Sequence, residues 1–315
     1  MSETKTFEEL FLSENETQNL SIKELDILLV SDIHKSYEYL ERLKEWTIEN
    51  KKLFDYIFCT GDMLKLKYPE TDQKEQIAKG EAELSAMIAF LENICLNVIY
   101  LGGNHDPKSL FDTKDTPTLT IKSFNIHKKY KKVANDLYFI GIGGAVPAVE
   151  SVSDVDDLHF VPFLDVSNKV KWEGYPYNDQ SGNPSYSQSD NYYLQDLTKF
   201  WEAAKLEIEE NNTTSNIKFV LLTHNGPFYS NTTILEHGNK CIYMGSKNLQ
   251  QFLKENKDIF LNIHGHTHDG TGMVKFTHYS VINPGSLLNG DFAIIKLKRN
   301  HINQWTLSNT EFINL

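Results

Sequence analysis

Three histidines stand at alternate positions in the stretch NIHGHTHDG, residues 262–270. They are His264, His266 and His268. In an extended chain this spacing places all three imidazole rings on one face. A neutral imidazole is costly to bury without a partner and is a common metal ligand. Histidines from one segment do not complete a metal site, so other segments must supply the remaining ligands.

Short apolar runs divide the chain into predicted strands. Five of them are DILLVS (26–31), DYIFCT (55–60), NVIYLG (97–102), IKFVLLT (217–223) and IFLNI (259–263). Helical periodicity separates the first three, which predicts right-handed crossovers and a largely parallel sheet. Three more runs, at 137–144, 278–283 and 292–298, and helical patterns at 191–210 and 246–256 supply a second set of elements. We expect an α/β fold, a four-layer α/β/β/α sandwich of two facing mixed sheets with helices outside.

Polar side chains follow the five runs quoted above by sequence, at the point where each predicted strand ends. They are Asp32 and His34; Asp62; Asn104, His105 and Asp106; His224; and His266 and His268. In α/β sheets the carboxyl ends of the strands converge on the ligand crevice. Each group alone also has an ordinary explanation as a helix cap, a turn or a hydrogen-bonded edge residue. Five such groups at five strand ends predict one composite site.

The donor types in this set indicate which metals it would hold. Carboxylates, an amide oxygen and imidazoles, without thiolate, suit Mn²⁺, Fe²⁺ or Zn²⁺. The seven candidate ligands are Asp32, His34, Asp62, Asn104, His224, His266 and His268. Seven are too many for one tetrahedral ion that also holds water, so we expect two divalent ions that share one carboxylate. Such a pair activates a bridging water for in-line displacement at phosphorus.

The motifs DIH, GDML, GNHD, THNGP and HGHTH, in this order, resemble the five motifs of the calcineurin-like metallophosphoesterases. The resemblance spans roughly residues 26–286, and INPGS at 282–286 is similar to the small phosphodiesterase branch. It implies a first metal held by Asp32, His34, Asp62 and His268, and a second held by Asp62, Asn104, His224 and His266. It leaves His264 without a metal, so we expect this ring beside the ligands or in the core.

The same resemblance implies the reaction. A metal-bridging hydroxide would attack the phosphorus of a phosphodiester or phosphomonoester, His105 would assist the leaving group, and Asp106 would orient His105. The protein Ser/Thr phosphatases carry arginines near the GD and GNH motifs, whereas GDMLKLKYP and GGNHDPKSL contain none. That branch is therefore disfavoured. A catalytically idle scaffold or subunit that binds a partner protein is the alternative, because some members of this fold have lost their metal chemistry.

Charge and composition restrict the partners. The chain has 315 residues, a net charge of -12 and only two arginines, Arg42 and Arg299. A strongly acidic chain repels long polyanions, which argues against a nuclease or other nucleic-acid binding and favours a small phosphoester substrate. The main basic segment in this acidic chain is a lysine run, which we interpret as a solvated connection between elements. Its members are Lys122, Lys128, Lys129, Lys131 and Lys132.

The first twenty residues are polar and acidic, which predicts a flexible tail over 1–20 and a single metallophosphoesterase domain over 21–315. The tail lacks the basic and apolar segments of a secretory signal, and no window approaches 18 uninterrupted apolar residues. Three cysteines fit a reducing compartment, and Cys59 and Cys95 read as small core residues. We expect a cytoplasmic protein without a membrane span.

Residues 145–190 show no clear period and predict a long insertion over the surface. Two interpretations of its aromatic residues stay open: they stack on a substrate group, or they pin the loop to the sandwich. The residues concerned are Trp172, Tyr175, Tyr177, Tyr192 and Tyr193. The acidic residues Asp154, Asp156 and Asp157 are either extra metal ligands or an exposed turn.

Overall fold

The computed structural model describes residues 22–67, 69–152, 160–162, 175–177, 186–214, 216–237 and 240–315. The strands are β1 (Glu24–Val30), β2 (Tyr56–Cys59), β3 (Val98–Tyr100), β4 (Phe124–Asn125), β5 (Lys129–Ala134), β6 (Leu137–Ile142), β7 (Val149–Val152), β8 (Phe160–Pro162), β9 (Lys218–Thr223), β10 (Ile234–His237), β11 (Lys240–Tyr243), β12 (Ile259–Ile263), β13 (Gly272–Lys275), β14 (Ser280–Asn283), β15 (Asp291–Arg299) and β16 (Trp305–Asn314). The α-helices are α1 (Tyr37–Glu49), α2 (Lys74–Glu92), α3 (Tyr186–Glu210) and α4 (Lys247–Glu255).

Two six-stranded mixed sheets dominate the described residues. The first has the order β16-β15-β1-β2-β3-β4, and the second β13-β14-β12-β9-β6-β5. Strands β1 to β4 run parallel, as do β14, β12, β9 and β6, while antiparallel strands complete both sheets. Each apolar run of the sequence analysis contributes a strand, so the predicted sandwich of two mixed sheets is confirmed.

Alternating side chains of the buried strands form three apolar layers. Ile27 and Leu29 of β1 belong to the cluster between the two sheets. Leu28 and Val30 belong to the cluster under α1 and α2, while α3 and α4 cover the outer face of the second sheet. A strand with apolar residues on both faces is typical of a parallel sheet covered on both sides. The layers are therefore helix, sheet, sheet and helix.

An ion pair joins the two sheets at one end of the sandwich. Both oxygens of Asp136, in the β5–β6 turn, accept hydrogen bonds from the Arg299 guanidinium at 2.6 and 2.7 Å. The indole Nε1 of Trp305 donates to the same carboxylate at 3.0 Å. Burial opposes ionisation of Asp136, but Arg299 and Trp305 outweigh it and hold the pKa below its ordinary value of 3.8.

We expect Asp136→Asn to lower the free energy of unfolding by about 1–3 kcal/mol at pH 7, because a charge-assisted network is lost. The depressed pKa makes this stabilisation complete above pH 3.8 and progressively lost as the pH falls through the folded-state value. Urea unfolding at pH 7 and pH 3 measures both the loss and its pH dependence. The difference in free energy of unfolding between wild type and variant should be smaller at pH 3 than at pH 7. Asp258→Asn is the control, because its pair with Lys205 is more exposed. An equal loss of unfolding free energy in Asp136→Asn and Asp258→Asn would contradict the prediction.

A third sheet was not predicted. It has four strands in the order β10-β11-β7-β8, and β7 and β8 lie within the predicted surface insertion. Its strands are three or four residues long, too short to give a periodic signal. The insertion over 145–190 therefore contains sheet structure as well as the start of α3.

The prediction that the lysine run is a connection is wrong for three of its members. Lys129, Lys131 and Lys132 lie in β5, an edge strand of the second sheet. Lysines on an edge strand discourage pairing with another chain, which gives a physical reason for their position. Lys128 precedes the strand and pairs with Asp196 at 2.6 Å.

Among the aromatic residues of the insertion, Tyr175, Tyr177 and Tyr193 are buried, which favours pinning of the loop over stacking on a substrate. The rings of Tyr177 and Tyr193 meet edge to face at 5.1 Å. Tyr192 is exposed. Trp172, the acidic residues at 154–157 and the predicted tail over 1–20 lie outside the described residues.

Two smaller predictions have clear outcomes. Cys59 and Cys95 are buried free thiols, as predicted. In the part of the chain that the structure describes, no helix combines the length and apolarity needed to span a membrane.

Candidate metal centre

The candidate ligands lie in loops that leave the carboxyl ends of parallel strands in both sheets. Asp32, His34, Asp62 and His266 all adopt left-handed backbone conformations, with φ of 51°, 48°, 52° and 67°. This conformation costs a residue other than glycine about 1–3 kcal/mol, and it persists only where the surroundings impose it. Four such residues in one place indicate that the loops are shaped for a site.

Hydrogen bonds tie these loops to one another. The amides of Asp32 and His34 donate to the carbonyls of Gly61 and Asp62, each at 3.0 Å. The amide of His105 donates to Asp62 Oδ1 at 2.7 Å, and that of His266 donates to Asp32 Oδ2 at 2.9 Å. Each carboxylate thus has one oxygen fixed by a neighbouring loop.

The donor atoms form overlapping groups around Asp62. One group is Asp32, His34 and His268, another is Asp62, His224 and His266, and a third, His34, Asp62 and His105, links them; within each group the ligand atoms lie within 4.8 Å of one another. Asp62 Oδ2 lies 3.4 Å from His224 Nε2 and 3.8 Å from His34 Nε2. The carboxylate of Asp62 therefore stands between the two groups.

Asn104 joins the group of His224, because its Oδ1 lies 3.0 Å from His224 Nε2. All seven predicted ligands thus meet in one place. Glycine is required behind them, because a Cβ on Gly103 would collide with Asp62 Oδ1.

Main-chain carbonyls set the tautomers of two ligand rings. His34 Nδ1 lies 2.9 Å from Leu64 O, and His224 Nδ1 lies 2.7 Å from Thr60 O. A carbonyl only accepts, so each Nδ1 carries its hydrogen, and a neutral ring turns the lone pair of Nε2 toward the carboxylates. This second contact is a common feature of metal-binding histidines.

Two features of the described residues fit a cation. His266 Nε2 is buried without a hydrogen-bond partner. Nε2 of His34 lies only 2.9 Å from Nε2 of His268, so two lone pairs meet unless a proton or a cation lies with them. Both features are expected of ligands arranged for metal ions.

The pKa values show that the centre attracts positive charge. Burial alone would raise the pKa of Asp62, but His224 and His105 hold it well below its ordinary value. Although burial opposes the charged form of His224, Asp62 raises the pKa of that ring to about 9. Burial and His224 together lower the pKa of His266 to about 3, which keeps its lone pair available. Metal ions would compete with protons for this centre.

We expect Mn²⁺ to raise the thermal unfolding midpoint of the chelator-treated chain, since a ligand bound only by the folded state stabilises it by about 2.7 kcal/mol at 100 times Kd. The shift should be larger at pH 8 than at pH 6, because protons compete for His224 at the lower pH. Scanning calorimetry measures both effects. His278→Ala is the control, because this ring bonds to Leu253 O and lines no part of the metal centre. Equal midpoints with and without Mn²⁺ would contradict the prediction.

His105 faces the centre, but its orientation differs from the expected one. Its Nδ1 lies 2.7 Å from Leu66 O, and the Leu66 amide donates back to His105 O at 3.1 Å. The carboxylate of Asp106 accepts main-chain amides instead, those of Leu64 and Gly103 at 2.9 Å and that of Met63 at 3.4 Å. The expectation that Asp106 orients the ring directly is corrected: it holds together the two loops that carry Asp62 and His105.

His264 is buried, and both ring nitrogens have partners. Nε2 lies 2.8 Å from Thr232 Oγ1, and Nδ1 lies 2.9 Å from Gly265 O. Burial lowers the pKa of this ring to about 4, so it is neutral. Of the three alternating histidines, His266 and His268 are therefore candidate metal ligands, whereas His264 forms a hydrogen bond with Thr232.

A cavity of about 210 Å³ opens onto the centre. Its lining residues are Asp62, Asn104, His105, Leu235, Met244, His266, Thr267, His268 and Asp269. A larger cavity of about 370 Å³ lies between β13, β14 and β16 and contains none of the candidate ligands. Donor chemistry, not size, therefore identifies the first cavity as the candidate site. Leu235 and Met244 were not predicted to line the site, because they carry no signal in the sequence beyond being apolar.

The fold is an α/β sandwich, and the donor set is a candidate metal centre at the carboxyl ends of its parallel strands. The family model of the calcineurin-like phosphoesterases matches residues 25–270. The chain therefore belongs to the calcineurin-like phosphoesterase family, as the resemblance implied.

Solved structures share the fold at low sequence identity. A dimetal phosphatase from Danio rerio aligns over 93% of this chain and 99% of its own, with 11% identity and a TM-score of 0.51. A 5'-nucleotidase described as putative, from Staphylococcus aureus, aligns over 92% of this chain and 54% of its own, with 15% identity and a TM-score of 0.51. No curated protein matches the chain. At these identities the structures support the fold alone.

Proposed function

We propose that this protein hydrolyses a phosphoester of a small molecule with the help of two divalent metal ions. The observation that carries the proposal is the position of Asp62 between two groups of candidate ligands, all buried except the half-buried His268, at a cavity that His105 also lines. A shared carboxylate between two ions is typical of centres that act on phosphoryl groups. Family membership supports the same chemistry.

Two sets of residues would hold the ions. The first set is Asp32, His34, Asp62 and His268, and the second is Asp62, Asn104, His224 and His266. When bound, Mn²⁺, Fe²⁺ or Zn²⁺ would activate water and offset negative charge at phosphorus. The main-chain bonds at Nδ1 of His34 and His224 keep their Nε2 atoms aimed at the centre before any ion arrives.

His105 supplies the proton in this proposal. The Nδ1 hydrogen of His105 donates to Leu66 O. When the ring is protonated, its second hydrogen, on Nε2, is therefore the one available to a substrate in the cavity. Burial lowers the pKa of His105 below 6.5, although Asp62 opposes the effect. A lower pKa makes the protonated ring a stronger acid, which helps a poor leaving group to depart.

A small substrate in a reducing compartment completes the proposal. The net charge of -12 disfavours long polyanionic substrates. The free thiols of Cys59 and Cys95 support a cytoplasmic location.

The proposal is tested by assaying the chelator-treated chain with and without Mn²⁺ on bis(p-nitrophenyl) phosphate and p-nitrophenyl phosphate. Metal-dependent release of nitrophenolate from either ester is the expected result. Tight metal binding without turnover of either ester would favour the idle scaffold and overturn the proposal.

A further inference from the structure

One wall of the cavity at the metal centre is apolar. Leu235 of β10 and Met244, the residue after β11, line the cavity that Asp62 and His105 also line. Both side chains are only half-buried, so part of each remains available to a ligand. Neither carries a donor atom suited to the metals, so the metal chemistry does not account for this wall.

The small sheet presents opposite faces to the cavity and to the protein core. Leu235 pairs with Ile242, and Ile234 pairs with Tyr243. Since side chains alternate along a strand, Leu235 and Met244 share one face, and Tyr243 lies on the other. The Tyr243 ring stacks on Phe228 at 4.8 Å and packs against the core of the second sheet. The face of the sheet that carries Tyr243 therefore packs on the core, and the face that carries Leu235 and Met244 lines the cavity.

Hydrogen bonds fix this wall to the ligand loop. Thr232, two residues before β10, meets His264 Nε2 at 2.8 Å, and its carbonyl accepts from Asn283 Nδ2 at 3.2 Å. The Met244 amide donates to Thr233 O at 2.9 Å. Because His264 lies two residues before His266, these hydrogen bonds connect the wall to the segment that carries two of the candidate ligands.

Apart from histidines, the ionisable side chains that line the cavity are acidic. Among the described lining residues, Asp62 and Asp269 are carboxylates and none is a lysine or an arginine. Asp269 is exposed at the cavity and would repel a substrate with excess negative charge. Near neutral pH a phosphomonoester carries up to two negative charges and a phosphodiester carries one. The bound ions would offset negative charge at the phosphoryl group, but the described lining supplies no lysine or arginine for the second charge of a monoester, and Asp269 opposes it.

We infer that the substrate is a singly charged phosphodiester with an apolar group, and that Leu235 and Met244 determine specificity by contacting that group. This inference deepens the proposed function and depends on it. It also places the wall at Leu235 and Met244, whereas the insertion at 145–190 contributes β7, which pairs with β11 in the same sheet.

The test compares two diesters with one leaving group, phenyl p-nitrophenyl phosphate and methyl p-nitrophenyl phosphate, with Mn²⁺. We expect kcat/KM for the phenyl ester to exceed that for the methyl ester by about tenfold or more, the scale of discrimination by an apolar pocket. Leu235→Ser and Met244→Ser should reduce this ratio toward one. Ile234→Ser, on the opposite face of the same strand, should retain it. Inhibition by diphenyl phosphate should weaken in the same two variants.

Charge selectivity is tested on the same preparations. Bis(p-nitrophenyl) phosphate should be hydrolysed with a higher kcat/KM than p-nitrophenyl phosphate, and Asp269→Lys should narrow that difference. Metal-dependent turnover with a phenyl-to-methyl ratio near one, or a ratio that both wall variants retain, would overturn this inference and leave the proposed function intact. No turnover of any of these esters would overturn the proposed function itself.

Discussion

Replacing Asp62 by asparagine is expected to lower metal-dependent phosphoesterase activity by about 10²–10³-fold, the scale on which loss of one preorganised electrostatic group acts. Asp62 Oδ2 lies between the two donor groups, and Oδ1 holds the amide of His105. Asparagine keeps nearly the same shape but removes the charge and one acceptor oxygen. Steady-state kinetics on bis(p-nitrophenyl) phosphate and elemental analysis of the same preparations measure turnover and bound metal together.

The matched control is Asp190→Asn, which alters another buried carboxylate outside the centre. Asp190 accepts hydrogen bonds from Ser246 Oγ and the Asn248 amide at the start of α4. Loss of this cap should affect stability and leave metal binding in place. If Asp62→Asn retains activity within threefold of wild type, the assignment of the centre is wrong.

Replacing His105 by alanine should produce the second large loss, one that depends on the leaving group. General acid catalysis contributes about 10²–10⁴-fold, and it matters most when the departing oxygen is strongly basic. An alkyl phosphoester should therefore lose about 10²-fold or more, and a nitrophenyl ester much less. The metal content should remain unchanged, because His105 is not assigned to either ion.

The measurement is a plot of log kcat/KM against leaving-group pKa for wild type and His105→Ala. A steeper slope in the variant is the expected result. Parallel lines would show that His105 does not protonate the leaving group. His278→Ala serves as the control for loss of a histidine elsewhere in the fold, because it bonds to Leu253 O and does not line the cavity.

The positions of the ligands were largely predictable from the sequence because each follows a buried strand. Apolar runs such as IFLNI mark central strands, and the carboxyl ends of parallel strands meet at one edge. This principle predicts that Asp32 and His266 lie close together although they are far apart in the sequence. In the structure the His266 amide donates to Asp32 Oδ2 at 2.9 Å.

The small sheet and the last strand were not predictable in the same way. Strand β16 is a mostly solvent-facing edge strand rich in Ser, Thr and Asn, so no run of buried residues marks it. The strands of the third sheet are too short for a periodic pattern. Their pairing depends on tertiary contacts such as the stacking of Tyr243 on Phe228.

The details of the site were also beyond the sequence. The family resemblance implied that Asp106 orients His105, but the loop geometry turns the carboxylate to the main-chain amides of Leu64 and Gly103. Spacing alone does not distinguish a ligand from a neighbouring ring, so His264 could be separated from His266 only through the family resemblance, and the structure then shows its bond to Thr232.

The most direct test of the central claim is a titration of the metal-free chain with Mn²⁺, in which bound metal and turnover of bis(p-nitrophenyl) phosphate are followed together. Activity should rise from the background rate and level off as the second ion per chain is bound. If turnover stays at background while both equivalents bind, or if no ion binds, two-metal phosphoester hydrolysis at this centre is contradicted.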